Sequence, residues 1–525
     1  MGRRPAPTTR EGDPGGRGPA GGLLWVADLP LFVVLMGAFA VAMLVPAAHG
    51  AAVADWGQAA VFLRWSLGFV LLTAFLGIAT AYREARRPAR ARLLTLLAAF
   101  TVLPVMLAAP LHEAVGTTRF LNAWFEMLSA LTTTGATLFE PERLSSTVHL
   151  WRALVGWLGG YLILLAAVAI LAPMNLGGYE VLSTAPAGAP ERIDRPGQAA
   201  ERRDRVVRHA LRLAPVYGLL TLALWLGLVI LGEGPFVAAC HAMSVMATSG
   251  ITPLGGLEEA GAGIAGEALI VLFFVFALTR AAISPAPGEP RAVQLARDPE
   301  LRLALALAGL VPAVLFLRHW IGAIEVDTLW DTRAALGALW GAGFSTVSFL
   351  STTGFLSSEW DTAQVWSGLE APGLVLLGLG LIGGGVATTA GGVKLLRVYA
   401  LYRHGTREMD RLTHPSSVGG AGAVARRLRR EGAYIAWVFF MLFALSLAAV
   451  SAALAATGVP FDAALVLTVA SLSNTGPIAG VVLEQPASYA ALDGAAKGVL
   501  AAAMVLGRLE TLAIIALANP EFWRG

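Results

Sequence analysis

Apolar runs long enough to cross a lipid layer alternate along this chain with short, strongly charged connections. A helix needs about 20 apolar residues to cross the hydrocarbon layer, where only an internally satisfied backbone survives. The pattern predicts spans at residues 29–46, 61–82, 93–110, 150–171, 213–231, 268–282, 301–317, 372–401, 433–455 and 495–518. Four shorter apolar segments remain between spans, at 120–131, 235–247, 334–350 and 460–472. An amphipathic surface helix is the alternative for any one of them taken singly. Four in matching positions, each running into Thr, Ser or Asn beside a glycine, argue instead for half-helices that end inside the membrane.

Charge sets the orientation. Arg83, Arg86, Arg87, Arg90 and Arg92 form one basic connection, and Arg192, Arg195, Arg202, Arg203, Arg205 and Arg208 a second. Arg291 with Arg297, and the stretch from Arg403 to Arg430, make two more on the same side. The other side carries Asp55, Glu140, Glu142, Glu258, Glu259, Glu359, Asp361, Glu484 and Asp493. Basic loops stay cytoplasmic, so ten crossings with both termini inside are expected.

Composition agrees with lipid as the solvent: 56% hydrophobic, 14% charged, mean hydropathy +0.67. A soluble domain needs more polar surface than that. The net charge is only +3, and the arginines lie in clusters between spans, which argues against a nucleic-acid partner. A single cysteine, Cys240, excludes an internal disulfide. Residues 1–28 read as a disordered tail, and the following apolar run lacks a cleavage site, so no signal peptide is expected. The fold class expected is an all-α integral membrane protein of four repeated units, each helix, pore half-helix, helix, around one pore. Two further helices at 29–91 precede units at 92–200, 201–298, 299–428 and 429–525.

The repeat aligns on its glycines: Thr132-Thr133-Thr134-Gly135, Ala247-Thr248-Ser249-Gly250, Ser351-Thr352-Thr353-Gly354 and Ser473-Asn474-Thr475-Gly476. A dehydrated monovalent cation must recover on the order of tens of kcal/mol of lost hydration from surrounding oxygens. Four re-entrant segments can supply backbone carbonyls around one axis, and glycine tolerates the dihedrals that turn carbonyls inward. The negative C-terminal ends of the half-helices add to the attraction. The candidate cation ligands are therefore Thr133, Thr134, Gly135, Thr248, Ser249, Gly250, Thr352, Thr353, Gly354, Asn474, Thr475 and Gly476.

Within the span at 372–401, Gly383, Gly384, Gly385, Thr388, Thr389, Gly391 and Gly392 crowd small residues together ahead of Lys394. Such a run either packs helices closely or breaks the helix into a loop able to block the path. Lys394 and Lys497 are the two lysines among 38 basic residues. Arg508 and Glu510 interrupt the last apolar span; they either neutralise each other, or pair with Lys394, or place Arg508 in the path as a barrier. Glu126 and His241 sit within half-helices, where holding a loop or a hydrogen bond is the expected role.

These residues resemble the TrkH subgroup of the Trk/Ktr/HKT potassium transporters. The resemblance covers nearly all of the chain after residue 28. It is carried by Leu131 to Thr137, by the loop from Gly383 to Lys394 with Arg397, and by Ser473-Asn474-Thr475-Gly476-Pro477. Gly507-Arg508-Leu509-Glu510 and the close at Pro520-Glu521-Phe522-Trp523-Arg524 carry it further. It implies a potassium-uptake protein of a bacterial inner membrane, not an enzyme, with one pore per protomer of a homodimer. It implies gating by the Gly383–Gly392 loop and Arg508 under a cytosolic RCK-type, TrkA-like nucleotide-binding subunit. No cofactor is implied; the ion in the filter is potassium, with rubidium and sodium as other monovalent occupants. The second strand departs from the family, with Ser249 where a glycine is more usual and Ile251 where Phe follows. That departure keeps a sodium-selective or sodium-coupled transporter as the alternative. A polytopic membrane enzyme needs converging carboxylates or histidines, and the eight histidines are scattered.

Overall fold

A computed structural model describes residues 30–80, 88–174, 198–282, 290–323, 332–414, 430–483 and 489–510. The expected N-terminal tail, Arg83, Arg86, Arg87, Arg192, Arg195, Glu484, the last span beyond 510 and the motif at 520–524 lie outside them. The described residues are helical, with no strand among them.

The N-terminal hairpin consists of α1 (Leu31–Ala42), α2 (Leu44–Ala52) and α3 (Trp56–Thr80). It is followed by α4 (Pro88–Thr101), α5 (Leu103–Val115), the short α6 (Phe120–Leu131) and α7 (Ser146–Ala166). Next come α8 (Gln198–Ile230), the short α9 (Pro235–Ala247), α10 (Gly263–Leu278), α11 (Arg291–Arg297), α12 (Pro299–Ala323) and α13 (Thr332–Leu350). The chain continues through α14 (Trp360–Ser367), α15 (Gly373–Ile382), α16 (Leu395–Thr413), α17 (Arg430–Ala456), α18 (Phe461–Leu472), α19 (Ile478–Val482) and α20 (Gly494–Leu509).

Every predicted span falls on one or two of these helices, and seven stretches among the described residues are long and apolar enough to cross a membrane. The protein is thus multi-pass. The span expected at 268–282 begins earlier, at Gly263, and the one expected at 372–401 is cut by an irregular segment between Ile382 and Leu395. Pro110 stands inside α5 without ending it, and the helix runs on to Val115 before Gly116 adopts a left-handed conformation.

Lipid tails are as apolar as leucine, so helix association here depends on close packing and internal hydrogen bonds. Both appear at the half-helices. A Cβ on Gly159 of α7 would collide with the carbonyl of Leu131, the last residue of α6. A Cβ on Gly507 of α20 would meet Leu472, the last residue of α18, in the same way. The helix that follows each of these two half-helices is therefore seated against its C-terminal end, which fixes where the next residues emerge. Trp151 is fully buried beside them, its indole N–H donating to the Leu107 carbonyl at 3.2 Å. The largest apolar cluster joins α1 to α3 with α4 to α7, α18 and α20. The first and last quarters of the chain thus share one core.

Candidate ion-conduction site

The helices α6, α9, α13 and α18 end alike. Thr133, Thr248, Thr352 and Asn474 all take positive φ, between 51° and 60°. Each donates its N–H three residues back, to Ala130, Val245, Phe349 and Ser471, at 2.9 to 3.3 Å. The next residue donates five back: Thr134 to Ser129, Ser249 to Ser244, Thr353 to Ser348 and Thr475 to Ala470, at 2.8 to 3.0 Å. This pair of bonds is the Schellman arrangement, in which the left-handed position usually belongs to glycine. Three threonines occupy it here, and a β-branched residue at positive φ is a true outlier. Each such residue costs about 1 kcal/mol or more, and such strain gathers at functional sites.

The residue before each glycine turns its hydroxyl back onto its own half-helix. Thr134 Oγ1 lies 2.8 Å from Thr132 Oγ1, Thr353 Oγ1 2.9 Å from Ser351 Oγ, and Thr475 Oγ1 3.3 Å from Ser473 Oγ. In the second unit Ala247 offers no hydroxyl, and Ser249 Oγ reaches Ser244 Oγ instead, at 3.2 Å. Ser249 is not among the positive-φ residues, so a serine there strains nothing. Its hydroxyl lies against Gly156 of α7.

The four segments meet. A Cβ on Gly135 would run into the Ser249 carbonyl, one on Gly250 into the Thr353 carbonyl, and one on Gly354 into Pro477. The Gly476 N–H donates to the Thr134 carbonyl at 2.6 Å, and Asn474 Nδ2 reaches Thr134 Oγ1 at 3.0 Å. The neighbours therefore run first to second, second to third, third to fourth and fourth back to first. Gly135, Gly250 and Gly354 have φ of 65° to 82°, as expected for a residue chosen for its dihedral freedom. Gly476 does not; it is needed because Ala136 and the Thr134 carbonyl leave no room for a side chain.

Buried polar groups hold the chain just beyond each glycine. Glu126 accepts the Leu138 N–H at 2.9 Å while paired with Arg152 at 2.7 Å, both side chains almost fully buried. His241 Nε2 lies 2.9 Å from Thr252 Oγ1. Glu267 of α10 accepts from Ser357 Oγ, Ser358 N, Ser358 Oγ and Trp340 Nε1 at 2.6 to 2.7 Å. Tyr489 donates its hydroxyl to the Gly476 carbonyl at 3.0 Å.

The irregular segment after Ile382 lies directly against the half-helix ends. The Gly391 N–H donates to Thr352 Oγ1 at 2.7 Å, and a Cβ on Gly391 would strike the Ser473 carbonyl. Thr388 Oγ1 donates to the Ala277 carbonyl at 2.9 Å, and Thr389 Oγ1 to the Met246 carbonyl at 3.4 Å. Gly383 and Gly392, both at positive φ, touch across the neck of the loop, with Gly384 and Gly385 packed against Ala277 and Leu278. Lys394 is buried and donates to the Ala390 carbonyl of the same loop. Arg508 completes the arrangement. Its Nε donates to the Thr132 carbonyl at 2.7 Å, its Nη1 to the Thr389 carbonyl at 2.6 Å, and its Nη2 to Thr133 Oγ1. One guanidinium joins the end of α6, the loop and α20.

The comparisons with known proteins point one way. The family model of TrkH, a cation transport protein, matches residues 274–524. The Trk system potassium uptake protein TrkH of Salmonella typhimurium is 31% identical over 411 residues, covering 77% of this chain and 79% of that one. TrkH of Halomonas elongata is 32% identical over 457 residues, covering 84% and 88%. The chain belongs to the TrkH family. The crystal structure of the potassium transporter TrkH from Vibrio parahaemolyticus superposes with a TM-score of 0.76 at 26% identity, over 95% of this chain and all of that one. A transport family, not an enzyme family, is thereby established for it.

The candidate ligand and loop residues of this TrkH chain lie together in the structure. The sequence left open whether Glu510 neutralises Arg508. Glu510 instead pairs with Arg397 at 2.6 Å, and Arg397 stacks on Phe439 with its guanidinium carbon 3.7 Å from the ring centre. Glu267 and Tyr489 were missed. An acidic residue within an apolar span is the signal that marks Glu267; a tyrosine carries none.

Proposed function

We propose that the chain is a potassium-uptake pathway in which four half-helix ends form one filter. The supporting observation is the closed circuit of contacts among the four glycine segments. With the hydroxyls of Thr134, Ser249, Thr353 and Thr475 folded back onto their half-helices, peptide carbonyls are the groups left at these positions to face a common axis. Thr133, Thr134, Gly135, Thr248, Ser249, Gly250, Thr352, Thr353, Gly354, Asn474, Thr475 and Gly476 supply the oxygens that replace a cation's hydration shell. One glycine per strand, rather than a longer signature, fits loose discrimination among monovalent ions.

In this reading the loop from Gly383 to Gly392, with Lys394 and Arg508, closes the path below the filter. Arg508 contributes a positive charge where a cation must pass, and the loop contributes bulk. Opening moves Thr389, Ala390 and Gly391 away from the filter and breaks the bond between Arg508 and the Thr389 carbonyl. The resemblance supplies the rest: a homodimer with one path per protomer in a bacterial inner membrane, termini in the cytoplasm. Control falls to a cytosolic RCK-type nucleotide-binding subunit. Inward flow follows the membrane potential, ~2.3 kcal/mol per charge per 100 mV.

Purified protein in liposomes should pass rubidium and potassium well above choline. Equal passage of choline overturns the filter assignment. Potassium flux that requires external sodium establishes the sodium-coupled alternative.

A further inference from the structure

The two halves of the loop are held differently. Thr389 and Gly391 touch the filter side, through Arg508, Met246, Thr352 and Ser473. The opposite half is bound to a polar junction away from the filter. There the Gly385 N–H donates to the Ala277 carbonyl at 3.0 Å, the oxygen that also accepts Thr388 Oγ1. The Val386 N–H donates to Glu300 Oε1 at 2.8 Å, and Glu300 is 2% exposed.

Glu300 lies in the first turn of α12, and its own N–H donates to Asp298 Oδ1 at 3.0 Å. The other carboxylate oxygen of Asp298 accepts from Thr279 Oγ1, two residues after Ala277. Asp298 also closes α11, its N–H donating to the Leu295 carbonyl at 3.2 Å. Arg302 Nε, one turn into α12, reaches back to the Ala296 carbonyl at 2.9 Å. An unbroken series of bonds thus runs from a seven-residue basic helix between two membrane units, around a proline corner, to a loop amide.

We propose that the corner Asp298-Pro299-Glu300 couples α11 to the loop. Glu300 is the positioning residue that fixes the loop's resting half, and α11 is the arm through which a cytosolic event displaces it. This rests on the reading of the loop as the closing element. With Glu300 buried, water cannot take its place as acceptor for the Val386 N–H, so losing it frees that half of the loop. The filter, bonded to other groups, keeps its shape.

The test uses the purified full chain in liposomes, with rubidium flux measured for wild type, E300A, E300D and E300Q. In parallel, hydrogen–deuterium exchange follows peptides spanning 383–394. E300A removes the acceptor and E300D withdraws it by one methylene. Both should raise basal flux by about tenfold, the scale of one lost buried hydrogen bond. Both should also speed exchange at 383–394 while preference for rubidium over choline stays unchanged. E300Q, which keeps an acceptor oxygen, should fall between them and wild type. D298A should speed exchange in the same peptides from outside the loop. Wild-type flux or wild-type exchange in folded E300D overturns the proposal, as does loss of ion preference. Deletion of Val386 to Ala390 separates the readings. If that deletion raises flux and E300D does not, the coupling fails and the loop reading stands; if neither does, the loop reading fails as well.

Discussion

Arg397 and Glu510 face each other at 2.6 Å, and that pairing leaves Arg508 to bond only uncharged oxygens among the described residues. Two arginines in one apolar region are therefore not equivalent. One is neutralised in place and stacked on Phe439. The other makes its hydrogen bonds to neutral oxygens at the end of a half-helix and in the loop.

The two should separate on mutation. Arg508→Ala should raise basal rubidium flux, and it should cost less stability than loss of Arg397 because the three oxygens it leaves behind are neutral. Arg397→Ala leaves a buried carboxylate without its partner and should cost about 3 to 5 kcal/mol, seen as a fall in Tm in detergent. Unchanged flux in Arg508→Ala speaks against a barrier role.

Gly135→Ser combines a side chain at φ 73° with a collision against the Ser249 carbonyl. It should reduce discrimination between rubidium and choline. Gly476→Ala should do the same although its φ is ordinary, because the obstruction is the Thr134 carbonyl and Ala136. Gly218→Ala and Gly309→Ala, in open surroundings, should leave flux ratios at wild-type values.

The strained threonines permit a sign test. The Thr248 hydroxyl donates to its neighbour's carbonyl at 2.7 Å and ties down nothing distant among the described residues, so Thr248→Gly removes strain and should retain or raise Tm. Asn474 bonds Thr134 Oγ1 and the Met504 carbonyl, each at 3.0 Å, so Asn474→Gly should lower stability by about 2 kcal/mol.

Glu267→Ala strips four donors of one acceptor and leaves Ser357, Ser358 and Trp340 without it. A loss of about 3 kcal/mol is expected, together with altered ion preference, since the chain beyond Gly354 loses its anchor. Thermal unfolding and flux ratios on the same preparation check both.

The helices and half-helices were legible because hydrophobic length is a strong signal in lipid. The four short segments were found within two residues of their observed limits. The glycine logic was legible for Gly135, Gly250 and Gly354 and misleading for Gly476. Its requirement comes from a neighbour hundreds of residues away that no local pattern reveals. The left-handed Thr133, Thr248, Thr352 and Asn474 were hidden for a related reason. Propensity argues against threonine at that position, and only the closed set of contacts makes it tolerable. Glu300 escaped notice because it opens a helix, where an acidic residue is ordinary.

The contact between Gly476 and Thr134 has a consequence for biosynthesis. A nascent chain that has delivered only three of its quarters to the bilayer lacks the residues that meet Thr134, so its ring stays open on one side. The arginine that bonds Thr132 arrives with the same final quarter. In the proposed reading the filter and the arginine that bars it are thus completed together, and a half-made protein offers no finished route by which a growing cell could leak.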